Sequence, residues 1–250
     1  MNLCDLVVPV ASKDCDGIEN KLDNFREYTG IKKCYIITNA RLKISDGDTI
    51  VVDENDLKIP NVSFFSNLPY KTKGRGKWLF QQFCKLSICE SILDISEKYL
   101  VVDSDLVFCN EYKPYFSKSD FYAPVTPHEL HVPYLHAVNK ILGLSPVMIE
   151  NKHVSFVSHQ MLFNKSMCNN MLKHIENIHT KNWCEAIIGC LDFNENSNMS
   201  EWDLYANYCL QMEPSRSKIN NDLVWMHDCN GGIPSESEKE KITYYADHKR

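Results

Sequence analysis

Tyr99-Leu100-Val101-Val102-Asp103-Ser104-Asp105-Leu106-Val107-Phe108 joins an apolar, β-branched run to two carboxylates spaced one residue apart. The run predicts a buried strand, and the carboxylates mark where the chain leaves the sheet. Packing does not call for acids there. A buried Asp is costly unless it is paired or bound to a cation, so two of them at a strand exit point to a hard divalent metal, Mn²⁺ or Mg²⁺. Such an ion, held by one or two carboxylates, completes its shell with water and substrate phosphates, which implies a phosphate-bearing substrate. The alternative is that Asp103 and Asp105 only begin a turn, a common use of Asp and Ser. A D-x-D triplet is too short to decide, and the sequence around it must.

Immediately upstream, residues 71–77 form a basic, Gly-broken loop (Lys71, Lys73, Arg75, Lys77) that leads into the strongest predicted helix. Leu79, Phe83, Leu86, Cys89 and Leu93 make its apolar stripe, while Trp78, Gln82 and Lys85 lie along a neighbouring line. The loop reads equally as a solvated connection or as a phosphate contact. Further back, residues 3–10 read as the first strand, residues 11–17 as a polar loop, and residues 18–28 as a helix ended by Gly30. Residues 34–38, 50–52 and 62–65 read as further strands. Strand, helix, strand at this spacing predicts an α/β domain with a mostly parallel sheet.

Downstream, residues 121–125 read as a strand and 134–142 as a helix. The loop between them, residues 126–134, mixes aromatic, histidine and carboxylate groups. His128 and His131 there are metal ligands by type, but ordinary surface histidines by their Pro-bounded setting. Residues 154–158 read as a strand that His159-Gln160-Met161-Leu162-Phe163 continues past a polar break, and residues 167–178 as an amphipathic helix. Ser200 opens another helix as N-cap, with Asp203 three residues on in a capping-box pattern, so that Asp203 serves either as a cap or as a site residue. Glu201 likewise has a bland use, favouring the positive helix end. The last apolar run, residues 223–228, puts His227 at a strand end. We expect one domain over residues 1–232, and a charged tail or surface helix over residues 233–250.

Composition narrows the partners. The formal net charge is -6 across 250 residues, with Lys and Arg scattered, so nucleic acid is not expected as a partner. Eleven Cys are an odd number, form no C-x-x-C pair, and several (Cys4, Cys34, Cys84, Cys89, Cys109) sit in apolar runs. That pattern argues against zinc and against a disulfide framework, and for a reducing, cytoplasmic location. Asn61, Asn164 and Asn198 each open an N-x-Ser triplet, which we read as chance. The N-terminus lacks the layout of a signal peptide, and no window reaches the roughly 18 apolar residues of a membrane span.

Taken in order, these segments resemble the GT-A type glycosyltransferases, in particular small bacterial and large-DNA-virus enzymes of that fold. The resemblance rests on Val7-Val8-Pro9-Val10, the Trp78-Leu79-Phe80-Gln81-Gln82-Phe83-Cys84-Lys85-Leu86 helix, Leu100-Val101-Val102-Asp103-Ser104-Asp105, Ser158-His159-Gln160-Met161 and Ser200-Glu201-Trp202-Asp203-Leu204-Tyr205, and spans the chain to about residue 230. It implies a Rossmann-like α/β domain that binds a nucleotide-sugar donor, most simply a UDP-sugar, at the carboxyl ends of the strands and transfers the sugar to a hydroxyl acceptor such as a glycan. It implies that Asp103 and Asp105 hold the cation, with Ser104 between them and the late His227 as a further ligand. Val10, Ala11, Ser12 and Asp14 would touch base and ribose, Arg75, Lys77 and Lys85 the phosphates, and His159 and Gln160 the sugar or acceptor side. If the enzyme inverts configuration, the acceptor hydroxyl needs a carboxylate base, and Glu201 is preferred to Asp203 because Asp203 has the capping role.

Two other readings stand beside this one. Val101-Val102-Asp103-Ser104-Asp105-Leu106-Val107 also resembles the first motif of haloacid-dehalogenase-like phosphatases, with Asp103 as nucleophile, although it lies far from the N-terminus and no later paired-acid motif follows. A non-catalytic nucleotide-sugar-binding module of the same fold is the third.

Overall fold

The structure, a computed structural model, describes residues 4–44, 46–116, 120–126, 130–220, 224–226 and 233–247. In chain order its elements begin with β1 (Asp5–Pro9), α1 (Ile18–Thr29), β2 (Cys34–Thr38), β3 (Thr49–Asp53), α2 (Val62–Ser66), α3 (Arg75–Ser91), β4 (Lys98–Val102) and β5 (Leu106–Phe108). They continue with β6 (Phe121–Pro124), α4 (Val132–Leu142), β7 (Met148–Ile149), β8 (Lys152–His153), β9 (Gln160–Asn164), α5 (Lys165–His179) and α6 (Trp183–Cys190). The last are α7 (Glu201–Met212), β10 (Ser217–Asn220), β11 (Trp225–Met226), α8 (Glu236–Lys239) and β12 (Tyr244–Ala246).

The central sheet has the order β3-β2-β1-β4-β9. Its first four strands run parallel, and β9 runs antiparallel against β4. This is the mixed α/β, mainly parallel architecture that the alternation of elements predicts. β1, β2, β9 and all but the first residue of β4 are buried, and side-chain alternation splits them between two apolar layers. Val7, Tyr35, Tyr99, Val101, Met161 and Phe163 face one layer, with residues of α3, α4, α5, α6 and α7. Leu6, Val8, Cys34, Ile36, Leu100, Val102 and Leu162 face the other, with α1, Trp225 and Tyr244. Each of these aliphatic side chains contributes about 1.5–3 kcal/mol by leaving water.

That alternation decides where the D-x-D side chains go. Val101 faces the layer of α3 and α7, so Asp103, two residues on, turns to the same side. Extending the β4–β9 register from Val102↔Gln160 brings Asp103 opposite His159, and the Asp103 amide donates to the His159 carbonyl at 2.8 Å. The β1–β4 register likewise brings the exit of β1 beside the exit of β4. The carboxyl ends of the two central strands therefore open on one cleft.

Three expectations differ from what is found. Residues 62–65, expected as a strand, form helix α2: the Asn61 side chain caps it by accepting from the Phe64 amide, and Phe65 packs 4.8 Å from Phe83 between ring centroids. Residues 154–158 carry only a single bridge, Thr126↔Ser155, and the sheet strand begins at Gln160. Residues 233–247 do contain a short surface helix, α8, but the expected tail also holds a buried strand. β12 lies between β11 and β5, and its Tyr244 is wholly buried against Phe108 and Trp225.

Candidate functional site

Asp103 is the centre of the cleft. Its Oδ1 lies 2.5 Å from Lys85 Nζ, and its Oδ2 lies 3.0 Å from His159 Nδ1. Lys85 comes from the third turn of α3 and is 1% exposed. The same ammonium lies 2.6 Å from Glu201 Oε1 and 4.2 Å from the centroid of the Trp202 ring. One buried cation thus joins the strand exit to the N-terminus of α7.

The electrostatics follow from this arrangement. Burial pulls the Lys85 ammonium down, but the two carboxylates outweigh it and hold Lys85 well above the usual lysine range, hence charged. At Asp103, burial pushes the carboxyl up, and Lys85 and His159 together hold it well below the usual range. Glu201 is fully buried, and there burial wins over Lys85, with the Asp103 charge adding to it, so its carboxyl stays raised. Glu201 Oε2 has no hydrogen-bond partner among the described residues.

Asp105 completes a second grouping. Ligand atoms of Asp103, Asp105 and His159 lie within 4.8 Å of one another. Two ligands of one Mg²⁺ or Mn²⁺ stand at most about 4.2 Å apart, so a small contraction would seat an ion among them. Two carboxylates and an imidazole also suit Mn²⁺ chemically, with the other coordination positions left for water or phosphate. The residues present therefore fit a divalent cation. His159 holds its place with a left-handed backbone, φ 56°, an uncommon and costly conformation outside glycine.

The other residues singled out in the sequence fall in different places. Val10 is buried in the core, whereas Ala11, Ser12 and Asp14 are exposed on the loop at the carboxyl end of β1, where Ser12–Asp14 forms a single 3-10 turn. Ser104 is half-buried, and its carbonyl accepts from Lys21 Nζ at 2.5 Å. Gln160 is fully buried, its Nε2 3.4 Å from the Tyr244 hydroxyl. Arg75 begins α3, stacks 3.8 Å from the Trp78 ring and reaches Ser197 Oγ at 3.4 Å; burial lowers its pKa. Lys77 is exposed. Asp203 is buried, but only half of the expected capping box exists: its amide donates to Ser200 Oγ at 3.3 Å, while its Oδ1 accepts from the Phe156 amide at 2.8 Å instead of returning to the cap. His227 and His128 lie outside the described residues.

Two contacts carry little signal in the sequence. His159, a site residue by the resemblance, lies beside Asp103, and the signal for that contact is the polar break before β9, which antiparallel pairing turns toward the β4 exit. Trp202 under Lys85 carried no signal beyond its neighbour Glu201.

With this geometry in view, the class is that of the GT-A glycosyltransferase fold. The galactosyltransferase LgtC, solved with donor and acceptor sugar analogues, superposes with a TM-score of 0.54 at 13% identity, covering 97% of this chain and 86% of its own. An active-site variant of LgtC superposes with a TM-score of 0.51 at 11% identity over the same shares. No curated protein matches the sequence. A family model described as a family of unknown function, DUF6492, matches residues 5–244, and the chain belongs to that family.

Proposed function

We propose that this protein is a glycosyltransferase that moves a sugar from a nucleoside-diphosphate sugar, a UDP-sugar first among them, to a hydroxyl acceptor such as a glycan. One observation carries the reading: Asp103, Asp105 and His159 converge at the carboxyl end of β4, inside a sheet of the GT-A type. Asp105 and His159 would hold Mn²⁺ or Mg²⁺, with Asp103 sharing it. When bound, the cation offsets the charge that grows on the departing nucleoside diphosphate. His227, in the role the resemblance gives it, would add a ligand from the C-terminal side.

The chain's own groups do the rest. The exposed loop of Ala11, Ser12 and Asp14 offers polar atoms to the base and ribose at the adjoining strand exit. Lys85 fixes Asp103 from below, and Gln160 supports the turn that aims His159. For the base we place Glu201 before Asp203, because Glu201 is joined to Asp103 through Lys85 whereas Asp203 lies in the Ser200 cap and is held by the Phe156 amide. Glu201 is fully buried, so acting on an acceptor requires the side chains around it to open as the acceptor enters. The free thiols of all ten described cysteines support the reducing, cytoplasmic location. No helix among the described residues is long and apolar enough to cross a membrane.

The test is thermal stability with uridine, guanosine, thymidine and adenosine diphosphates, each with and without Mn²⁺. Saturation at a hundred times Kd adds about 2.7 kcal/mol, a rise in Tm of roughly 5–10 °C for a chain of this size. A rise that needs one nucleotide and the metal together is expected. No rise with any pair refutes the donor site.

A further inference from the structure

The C-terminal segment, which charge alone marks as a tail, touches both sides of the candidate cation site. On the Asp105 side, β12 pairs antiparallel with β5, with Ala246 opposite Leu106. One residue further, the Asp247 amide donates to the Asp105 carbonyl at 2.7 Å. The turn that presents Asp105 is thus tied by its backbone to the end of the chain.

On the His159 side, a single hydroxyl reaches both neighbours of the histidine. The Tyr244 hydroxyl donates to the Ser158 carbonyl at 2.7 Å and accepts from Gln160 Nε2 at 3.4 Å. The His159 ring meets the Trp225 ring edge to face, centroids 5.3 Å apart, and Trp225 stacks on Tyr244 at 5.6 Å. Trp225 is 7% exposed and Tyr244 is wholly buried, so this stack has a fixed position. A left-handed histidine persists only where its surroundings over-determine it, and these contacts surround it. The other end of the segment is equally anchored: Asn110 Nδ2 donates to the Ile242 and Lys239 carbonyls, and the Cys109 amide to that of Thr243.

We propose that Trp225 and β12 form a clamp that sets the distance between His159 and Asp105, with Trp225 and Tyr244 as positioning residues of the cation site. The proposal rests on the cation-site reading above. Among the described residues, Trp225 meets the site at the His159 ring and Tyr244 at the backbone flanking His159, while the Asp247 amide meets it at the Asp105 carbonyl. Their effect is therefore on ligand geometry, as for groups that orient metal-bound histidines elsewhere.

The experiment titrates the full chain with Mn²⁺ alone, following free Mn²⁺ by electron paramagnetic resonance, for the wild type, Asp105→Ala, Tyr244→Phe, Trp225→Ala and Trp225→Phe. Tyr244→Phe removes one hydroxyl and keeps the ring. The expected result is roughly tenfold weaker binding in Tyr244→Phe and Trp225→Ala, with most of the affinity restored in Trp225→Phe. Wild-type affinity in Tyr244→Phe and Trp225→Ala, alongside loss in Asp105→Ala, overturns the clamp and leaves the site standing. No Mn²⁺ binding by the wild type, or binding that Asp105→Ala does not change, overturns the site and the clamp together. Should Trp225→Ala fail to fold, Tyr244→Phe alone decides.

Discussion

Replacing Lys85 with Met tests the electrostatic centre of the molecule. The aliphatic stem stays against Trp202 while the charge disappears, and Asp103 Oδ1 and Glu201 Oε1, at 2.5 and 2.6 Å from the lost nitrogen, are left facing one another across a buried space. Breaking a buried pair by removing one partner costs about 3–5 kcal/mol. For a chain of this length, 1 kcal/mol moves Tm by about 2–4 °C, so Tm should fall by roughly 6–20 °C at neutral pH. The pH dependence has a definite sign. In the wild type Asp103 is depressed, so its contribution is present above the unfolded carboxyl value of about 4 and is lost as pH falls through the depressed one. Glu201 is raised, so its contribution is present at low pH and is lost as pH rises. Without Lys85 both carboxyls move upward, and the variant binds protons on folding. The gap between the two proteins should narrow as pH is lowered from 8 to 5, followed by circular dichroism melts. Glu201→Gln should lower Tm in the wild type and raise it in the Lys85→Met background, the non-additivity expected of one network. Melting curves that coincide at neutral pH, or run parallel across this range, would refute the buried triad.

The remaining predictions concern the ligands and the scaffold. His159→Ala should abolish the Mn²⁺-dependent rise in Tm, and His227→Ala should weaken Mn²⁺ affinity by roughly tenfold; unchanged titration of His227→Ala removes it from the ligand set. Gly76→Ala should destabilise by about 3 kcal/mol or more in urea unfolding, because a Cβ there would lie 2.0 Å from the Phe65 carbonyl oxygen, which is backbone and cannot swing aside. A wild-type denaturation midpoint for Gly76→Ala would contradict the close approach of α2 and α3.

The sheet was legible because strands buried on both faces leave a plain trace: β1, β2, β4 and β9 are short apolar runs bounded by polar residues. The run at 62–65 is similarly short and apolar and forms a helix, since three apolar residues among four do not fix a period and the Asn61 cap is the deciding signal. Lys85 shows a different limit. On α3 it lies beside the apolar stripe and read as a group facing phosphate, yet α7 packs over that flank and buries it with Glu201. Helical periodicity reports which side of a helix is apolar, not whether a second helix covers the rest. Tyr244–Ala246 was hidden for a related reason: a three-residue strand inside a charged segment has too few positions to show alternation. His159 became a neighbour of Asp103 through strand pairing, and nothing within its own segment specifies that partner.

Asp103 and Asp105 look alike in the sequence, and the structure makes them unequal. Asp103 turns inward, with its two oxygens on Lys85 and His159 and its side chain 15% exposed. Removing it strands the Lys85 charge with a single partner in the interior, which should lower Tm by several degrees whether or not a cation is present. The Asp105 backbone carbonyl accepts from the Asp247 amide at 2.7 Å and ties the turn to the end of the chain. Asp105→Ala keeps that carbonyl and leaves both Lys85 ion pairs in place, so the metal-free protein should melt closer to the wild type than Asp103→Ala does, while losing its response to Mn²⁺. Lys85 thus holds the carboxylates of Asp103 and Glu201 together, and the proposed cation would sit on Asp105 and His159 with Asp103 sharing it. Asp103→Ala and Asp105→Ala variants with equal melting temperatures in chelator would contradict this division, because Lys85 could not then depend on one of them more than on the other.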